Sequence, residues 1–222
     1  DFFLWHTWFS DVFAEGGFDI VIGNPPYGAK LSKTEKDFYK KHFVTAKKIS
    51  GVQKGSVDTY TLFIEQGFNI LKTGGSFAYI VPISLTSSDA LTGVHKLLLD
   101  KCDNIRISSY AVRPKPVFEN AFVNTSILLF SKTMTPCKSL KSTKMYRRGK
   151  KFDLKTLVDN LEYTEVKELI LKGRIPKIGL EIEKSILSTL FKHSRIGDIQ
   201  SIGGSPIFYR FAGGRYFKVV TN

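Results

Sequence analysis

The 222-residue sequence is poor in the residues that build metal centres, disulfide frameworks and membrane spans. It has two cysteines, Cys102 and Cys137, and their separation matches no thiolate metal motif. Four histidines (His6, His42, His95, His193) are scattered, with no H-E-x-x-H and no pairing with cysteine, so a protein-bound zinc site is not expected. Two isolated thiols read as free cysteines in a reducing, cytoplasmic setting. No apolar run reaches the roughly 18 residues a membrane helix needs. Charge and aromatic residues interrupt the apolar ones from Asp1 onward, so no signal peptide is read, and the opening Asp suggests a start inside a longer protein. Internal repeats and low-complexity tracts are also missing. What remains is an ordinary globular composition, 42% hydrophobic, long enough for one full domain and part of another.

Charge is distributed unevenly. Residues 1–131 carry 14 Lys/Arg against 12 Asp/Glu, whereas residues 132–222 carry 19 against 8. Most of the net +13 therefore lies in the second part, which suits a polyanionic partner, nucleic acid first, and equally a solvated basic face; charge alone does not separate the two. The run Met145–Lys151 concentrates it: Arg147, Arg148, Lys150 and Lys151 are candidate phosphate contacts, with a solvated basic loop as the equal alternative.

Apolar patterning predicts alternating strands and helices. Ile20-Val21-Ile22 reads as a central strand covered on both faces. Residues 28–55 read as a Lys-rich loop enclosing a short helix near Lys36–Phe43. Tyr60, Phe63, Ile64, Phe68 and Leu71 recur at helical spacing, with Lys72-Thr73-Gly74-Gly75 as the stop. A strand is expected at Phe77–Pro82, a helix at Ser88–Asp100, and strands at Ile105–Val112 and Val123–Ser131. Up to Val112 this is the βαβ rhythm of a parallel sheet, which Pro114 and Pro116 interrupt before the last of these strands. Beyond it, Leu154–Asn160 and Ile182–Phe191 read as short helices and the tail from Ile199 as β. The Asp153-Leu154-Lys155 triplet lacks the acidic partner of a nuclease site and reads as a helix start.

The chemistry concentrates in Asn24-Pro25-Pro26-Tyr27, which follows the first strand and lies where parallel sheets bind ligands. The exocyclic amine of a purine is a poor nucleophile because its lone pair is delocalised into the ring. Two hydrogen-bond acceptors aimed at its hydrogens localise that pair. Asn24 offers a neutral side-chain carbonyl and Pro25 a backbone carbonyl, the latter fixed by two successive prolines. Tyr27 offers a face for stacking. The competing reading is a strand end that Pro-Pro merely terminates.

The segment resembles motif IV of the NPPY-type, gamma-class adenine-N6 DNA methyltransferases, as found in the methylase part of single-chain type II restriction–modification enzymes. The resemblance continues through Asp58–Glu65, Leu71–Gly75 to Val81-Pro82, and Val117–Ile127. It covers residues 15–131, with a weaker likeness of Ile196–Ile199 and the following tail to a target-recognition domain. It implies an α/β fold, part of a Rossmann-like S-adenosylmethionine-dependent methyltransferase sheet, acting on double-stranded DNA by base flipping. It further implies catalysis by Asn24, Pro25, Pro26 and Tyr27, base stacking by Tyr27 and Phe118 (with Phe122 as a rival), and cofactor contact by Phe63 and Pro26. Three segments are expected: the C-terminal half of a catalytic domain (1–131), a basic connector (132–192) and the start of a target-recognition domain (193–222). The family's glycine-rich cofactor loop has no counterpart in residues 1–17, so the cofactor-binding part is expected to lie elsewhere in the same protein, with the chain inactive alone. Related chemistry serves enzymes acting on RNA guanine or protein glutamine, and a non-catalytic DNA-binding module is a further alternative.

Overall fold

The computed structural model describes residues 4–47, 57–118, 122–147, 154–171, 173–193, 208–210 and 217–219. Two short helices, α1 (Trp5–Trp8) and α2 (Ser10–Ala14), lead into strand β1 (Phe18–Gly23). Helix α3 (Lys33–His42) and helix α4 (Thr59–Ile70) precede the long strand β2 (Leu71–Pro82). Helices α5 (Ser84–Ser87) and α6 (Thr92–Lys101), strand β3 (Cys102–Tyr110), strand β4 (Thr125–Lys132) and strand β5 (Leu140–Tyr146) follow, then α7 (Leu154–Asp159) and β6 (Thr164–Glu165). Strands β1–β6 form one sheet in the order β1-β2-β4-β3-β5-β6.

The sheet is mixed rather than wholly parallel. β1 pairs in parallel with β2, and β3 with β5. β4 lies between β2 and β3 and is antiparallel to both, so β1, β2, β3 and β5 run one way and β4 runs against them. The β3–β4 connection holds no helix among its described residues, and strands joined without a crossover helix pair antiparallel.

One face of the sheet packs on α4 and α6. Val21, Phe77, Val81, Leu128 and Phe130 are buried there against Tyr60, Ile64, Phe68, Val94 and Leu98, and the rings of Phe77 and Phe130 stack at 4.3 Å. Lys132 closes the C-terminal end of α4, its Nζ donating to the carbonyls of Phe68 at 2.8 Å and Leu71 at 2.6 Å. The turn into β1 comes so close that a Cβ at Gly17 would stand 2.5 Å from the Ile70 carbonyl, and its φ of +120° also calls for glycine.

Three expectations change. β1 is an edge strand covered on one face only: Val21 is buried, but Ile20 is 66% exposed and Ile22 78%. A wholly apolar strand does not distinguish a centre from an edge whose second face awaits another surface. Helix α4 ends at Ile70, and the residues read as its glycine stop belong to β2, with Gly74 at φ +86°. The basic stretch after residue 132 is not a separate connector. β5 runs through it and β6 pairs with β5, so the first compact unit reaches Glu181. The second unit, Ile182–Asn222, contains nearly all of α8 (Glu181–Leu190) and an antiparallel pair of short strands, β7 (Phe208–Arg210) and β8 (Phe217–Val219). Among the described residues no helix is long and apolar enough to cross a membrane.

Candidate active site

The chain leaves the sheet at Gly23, whose ideal Cβ position lies only 3.0 Å from the Tyr79 ring. In the next four residues Asn24 is exposed, Pro25 buried, Pro26 exposed and Tyr27 half-buried. Tyr27 Oη lies 2.8 Å from Asn24 Oδ1 and 2.8 Å from the Ile80 carbonyl. One phenolic proton is thus shared between two acceptors. Burial pushes the Tyr27 phenol up to about 12, so it stays a donor at any physiological pH. Its ring meets Tyr60 edge-on at 6.5 Å, and the Tyr60 hydroxyl pairs with Ser84 Oγ at 2.9 Å. The asparagine is therefore oriented from β2 through the tyrosine.

The residues after Tyr27 are tied to the start of α4. Thr59 Oγ1 donates to the Pro26 carbonyl at 2.9 Å and accepts from the Ala29 amide at 3.3 Å. Asp58, at the N-cap position, makes no side-chain cap bond; its carboxylate instead accepts from the Gly28 amide at 3.3 Å. The loop's far end is held by Glu65, a buried carboxylate that accepts from the amides of Val44 at 2.9 Å and Thr45 at 2.7 Å. Two clamps on one helix fix a loop that sequence patterning left open.

Asn24 opens onto an apolar cavity of about 410 Å³ on the face of the sheet away from α4 and α6. Its walls include Ile22, Tyr79, Ile80, Tyr110 and Phe118. The loop carrying Phe118 is closed at its base by Asn124, whose Oδ1 accepts from the Val112 amide at 2.7 Å and whose backbone carbonyl accepts from the Ile83 amide at 2.9 Å.

The structure thus brings Asn24 and Phe118 to one cavity. Tyr27 is not among the described residues lining it, because its hydroxyl is held at Ile80 and its ring at Tyr60. Phe122, the rival for stacking, is 86% exposed and outside the cavity's described walls. Phe63 lies on a different cleft of about 200 Å³ between α3 and α4, with Tyr39, Phe43, Thr59, Leu62 and Gln66; its ring is 44% exposed. The exposed Pro26 precedes this helix in space through its bond to Thr59. Arg147 is exposed just beyond β5, while Arg148, Lys150 and Lys151 lie outside the described residues.

Thr59, Asp58, Glu65, Tyr110 and Asn124 were not singled out by sequence reasoning. Only Glu65 carried a signal, a carboxylate within the buried face of a helix. Among the described residues no group of three or more His, Cys, Asp or Glu could hold a metal ion.

Comparisons with known proteins agree on a family. The model of the Eco57I restriction-modification methylase family matches residues 1–118. The type II restriction enzyme and methyltransferase RM.Eco57I of Escherichia coli is 32% identical over 120 residues, 52% of this chain and 11% of that protein. The type II methyltransferase M.TthHB8I of Thermus thermophilus is 32% identical over 84 residues, 37% of this chain and 18% of that protein. The matched stretches are thus less than a fifth of these curated relatives' lengths. Among solved structures, a nuclease-deletion mutant of the Type ISP restriction-modification enzyme LlaGI, in complex with a DNA substrate mimic, shares the fold with a TM-score of 0.50 at 16% identity, over 70% of this chain and 15% of that one. With more than half of its residues matched by the family model, and with the six-stranded mixed α/β sheet described above, this chain belongs to the Eco57I restriction-modification methylase family.

Proposed function

We propose that this chain forms the catalytic, DNA-facing part of an S-adenosylmethionine-dependent adenine-N6 methyltransferase of a restriction–modification system. The observation that carries the reading is the junction of Asn24 and Phe118 on one apolar cavity, with the Asn24 carbonyl oriented by Tyr27. An apolar cavity with one polar rim suits a planar base extruded from a duplex, which needs a stacking surface and a few fixed acceptors. The Asn24 carbonyl uses one lone pair toward Tyr27 and keeps the second for an amino hydrogen. The Pro26 carbonyl is taken by Thr59, whereas among the described residues no group donates to the Pro25 carbonyl, which supports Pro25 as the second acceptor.

The cleft beside Phe63 has aromatic walls and room for a purine, so its residues fit the adenine end of the cofactor. When bound, S-adenosylmethionine supplies an electrophilic methyl group. The chain's own contribution is to hold the amino group between two carbonyl acceptors, stack the base on Phe118 and keep bulk water from the apolar cavity. No general base of raised pKa is needed, because the amino proton becomes acidic only once the nitrogen carries positive charge.

The position of β1 at the edge of the described sheet and the exposed Ile20 and Ile22 support a further layer of the same protein, the cofactor-binding part, as the partner of that face. DNA as substrate is supported by the DNA substrate mimic in the LlaGI complex above and by the net +13 charge. The test is Asn24→Ala in the full-length methylase, with methyl transfer and duplex binding measured together. Loss of transfer with duplex binding kept is expected; retained turnover overturns the role of Asn24. Methylation of an RNA guanine or of a glutamine amide in place of DNA adenine overturns the substrate.

A further inference from the structure

Residues 28–47, which begin immediately after Tyr27, carry six lysines against two acids, while the rest of residues 1–131 carries eight basic residues against ten acidic ones. The first half of the chain is therefore not evenly neutral; its positive charge is gathered on one segment. Lys30, Lys33, Lys36, Lys40, Lys41 and Lys47 are all exposed.

Both acids of the segment are committed locally. Glu35 completes a capping box with Ser32, its carboxylate accepting from the Ser32 amide at 2.8 Å while Ser32 Oγ accepts from the Glu35 amide at 3.2 Å. Asp37 pairs with Lys40 at 3.4 Å. Among the described residues no carboxylate pairs with Lys30, Lys33, Lys36, Lys41 or Lys47.

Geometry sets these charges outward in a fixed frame. Lys33, Lys36 and Lys40 recur at i, i+3 and i+7, one face of α3. Tyr39 and Phe43 beside them are partly buried and line the cleft shared with α4. Asp58 and Thr59 hold the segment's start and Glu65 its end. A freely solvated charge run needs no such anchoring.

We infer that α3 and its flanks form a second phosphate-contact surface, which grips the backbone of duplex DNA beside the base presented to Asn24; this rests on the DNA reading given above. Lysines at these spacings lie about 4–6 Å apart along the helix axis, wider than the roughly 3.4 Å per charge of one DNA strand, so neighbouring lysines can meet separate phosphates.

The experiment measures binding of this chain to a short labelled duplex across a salt series. Lys33→Gln/Lys36→Gln should flatten the slope of log affinity against log salt by about 1.8, since each lost phosphate contact removes about 0.9. Lys33→Arg/Lys36→Arg should keep the original slope, and Lys101→Gln/Lys138→Gln, the same charge change elsewhere, should leave it nearly unaltered. An unchanged slope in the first variant overturns the surface alone and leaves the DNA reading standing. Equal flattening by both glutamine pairs overturns it in favour of diffuse charge. If the unsubstituted chain binds single-stranded RNA but no duplex, or binds neither, the DNA reading fails and this inference with it.

Discussion

Tyr27 donates its hydroxyl toward Asn24 across 2.8 Å while touching the β2 backbone at Ile80 over the same distance. Tyr27→Phe keeps the ring and removes only this link. In the full-length methylase it should lower kcat roughly 5- to 10-fold, the equivalent of one hydrogen bond of about 1 kcal/mol, with little change in duplex affinity. Tyr27→Ala should cost more, because the contact with Tyr60 goes as well. Steady-state methylation kinetics check both; an unaffected kcat in the phenylalanine variant would refute the orienting role.

Thr59 bridges Pro26 and Ala29, the two sides of the turn that follows the strand. Thr59→Val is near-isosteric and leaves a carbonyl and an amide without their partner. We expect a loss of about 1–3 kcal/mol in stability or in transition-state binding, with Thr59→Ser restoring most of it. Thermal unfolding alongside kcat and KM separates the two routes. A valine variant equal to the parent in all three would show that the clamp contributes nothing.

These two contacts mark the limit of what the sequence could yield. The helix at Thr59–Ile70 was legible from its apolar spacing, and the end of β1 from Gly23 and the prolines. That Thr59 reaches Pro26 was not, because the bond spans 33 positions and no local pattern encodes it. The edge position of β1 was equally hidden: Ile20 and Ile22 are apolar whether a second layer covers them or solvent does. β5 was missed because Lys141 and Lys144 break up the buried residues Leu140, Ser142 and Thr143, and the consecutive burial of the last two, at an irregularity in the pairing with β3, leaves no clean alternation.

Gly67 lets α4 lie close on the sheet. A Cβ there would stand 2.6 Å from Phe77 Cε2, 3.1 Å from the Tyr79 hydroxyl and 3.3 Å from Val21 Cγ1. Alanine would gain about 1 kcal/mol of helix propensity, yet overpacking against a ring fixed by stacking on Phe130 costs typically 1–3 kcal/mol. The clash should win, giving a net destabilisation of Gly67→Ala in urea unfolding. A midpoint that rises would show that Phe77 yields.

Both cysteines are buried, and desolvation holds their thiols neutral: Cys102 is pushed up to about 12 and Cys137 to about 11, from an ordinary value of 9.0. Raised native values mean that the folded state binds more protons than the unfolded one between pH 9 and those limits. The stabilising contribution is complete below pH 9 and is lost as pH climbs through 11 to 12. Urea unfolding at stepped pH should therefore show stability falling by roughly 1–3 kcal/mol over this range on account of Cys137. Cys137→Ala should flatten that part of the curve while lowering stability at neutral pH, since it removes a buried sulfur. Neither thiol should react with iodoacetamide at pH 8 in the native state, and both should react once unfolded. Rapid native labelling would contradict the burial on which the argument stands.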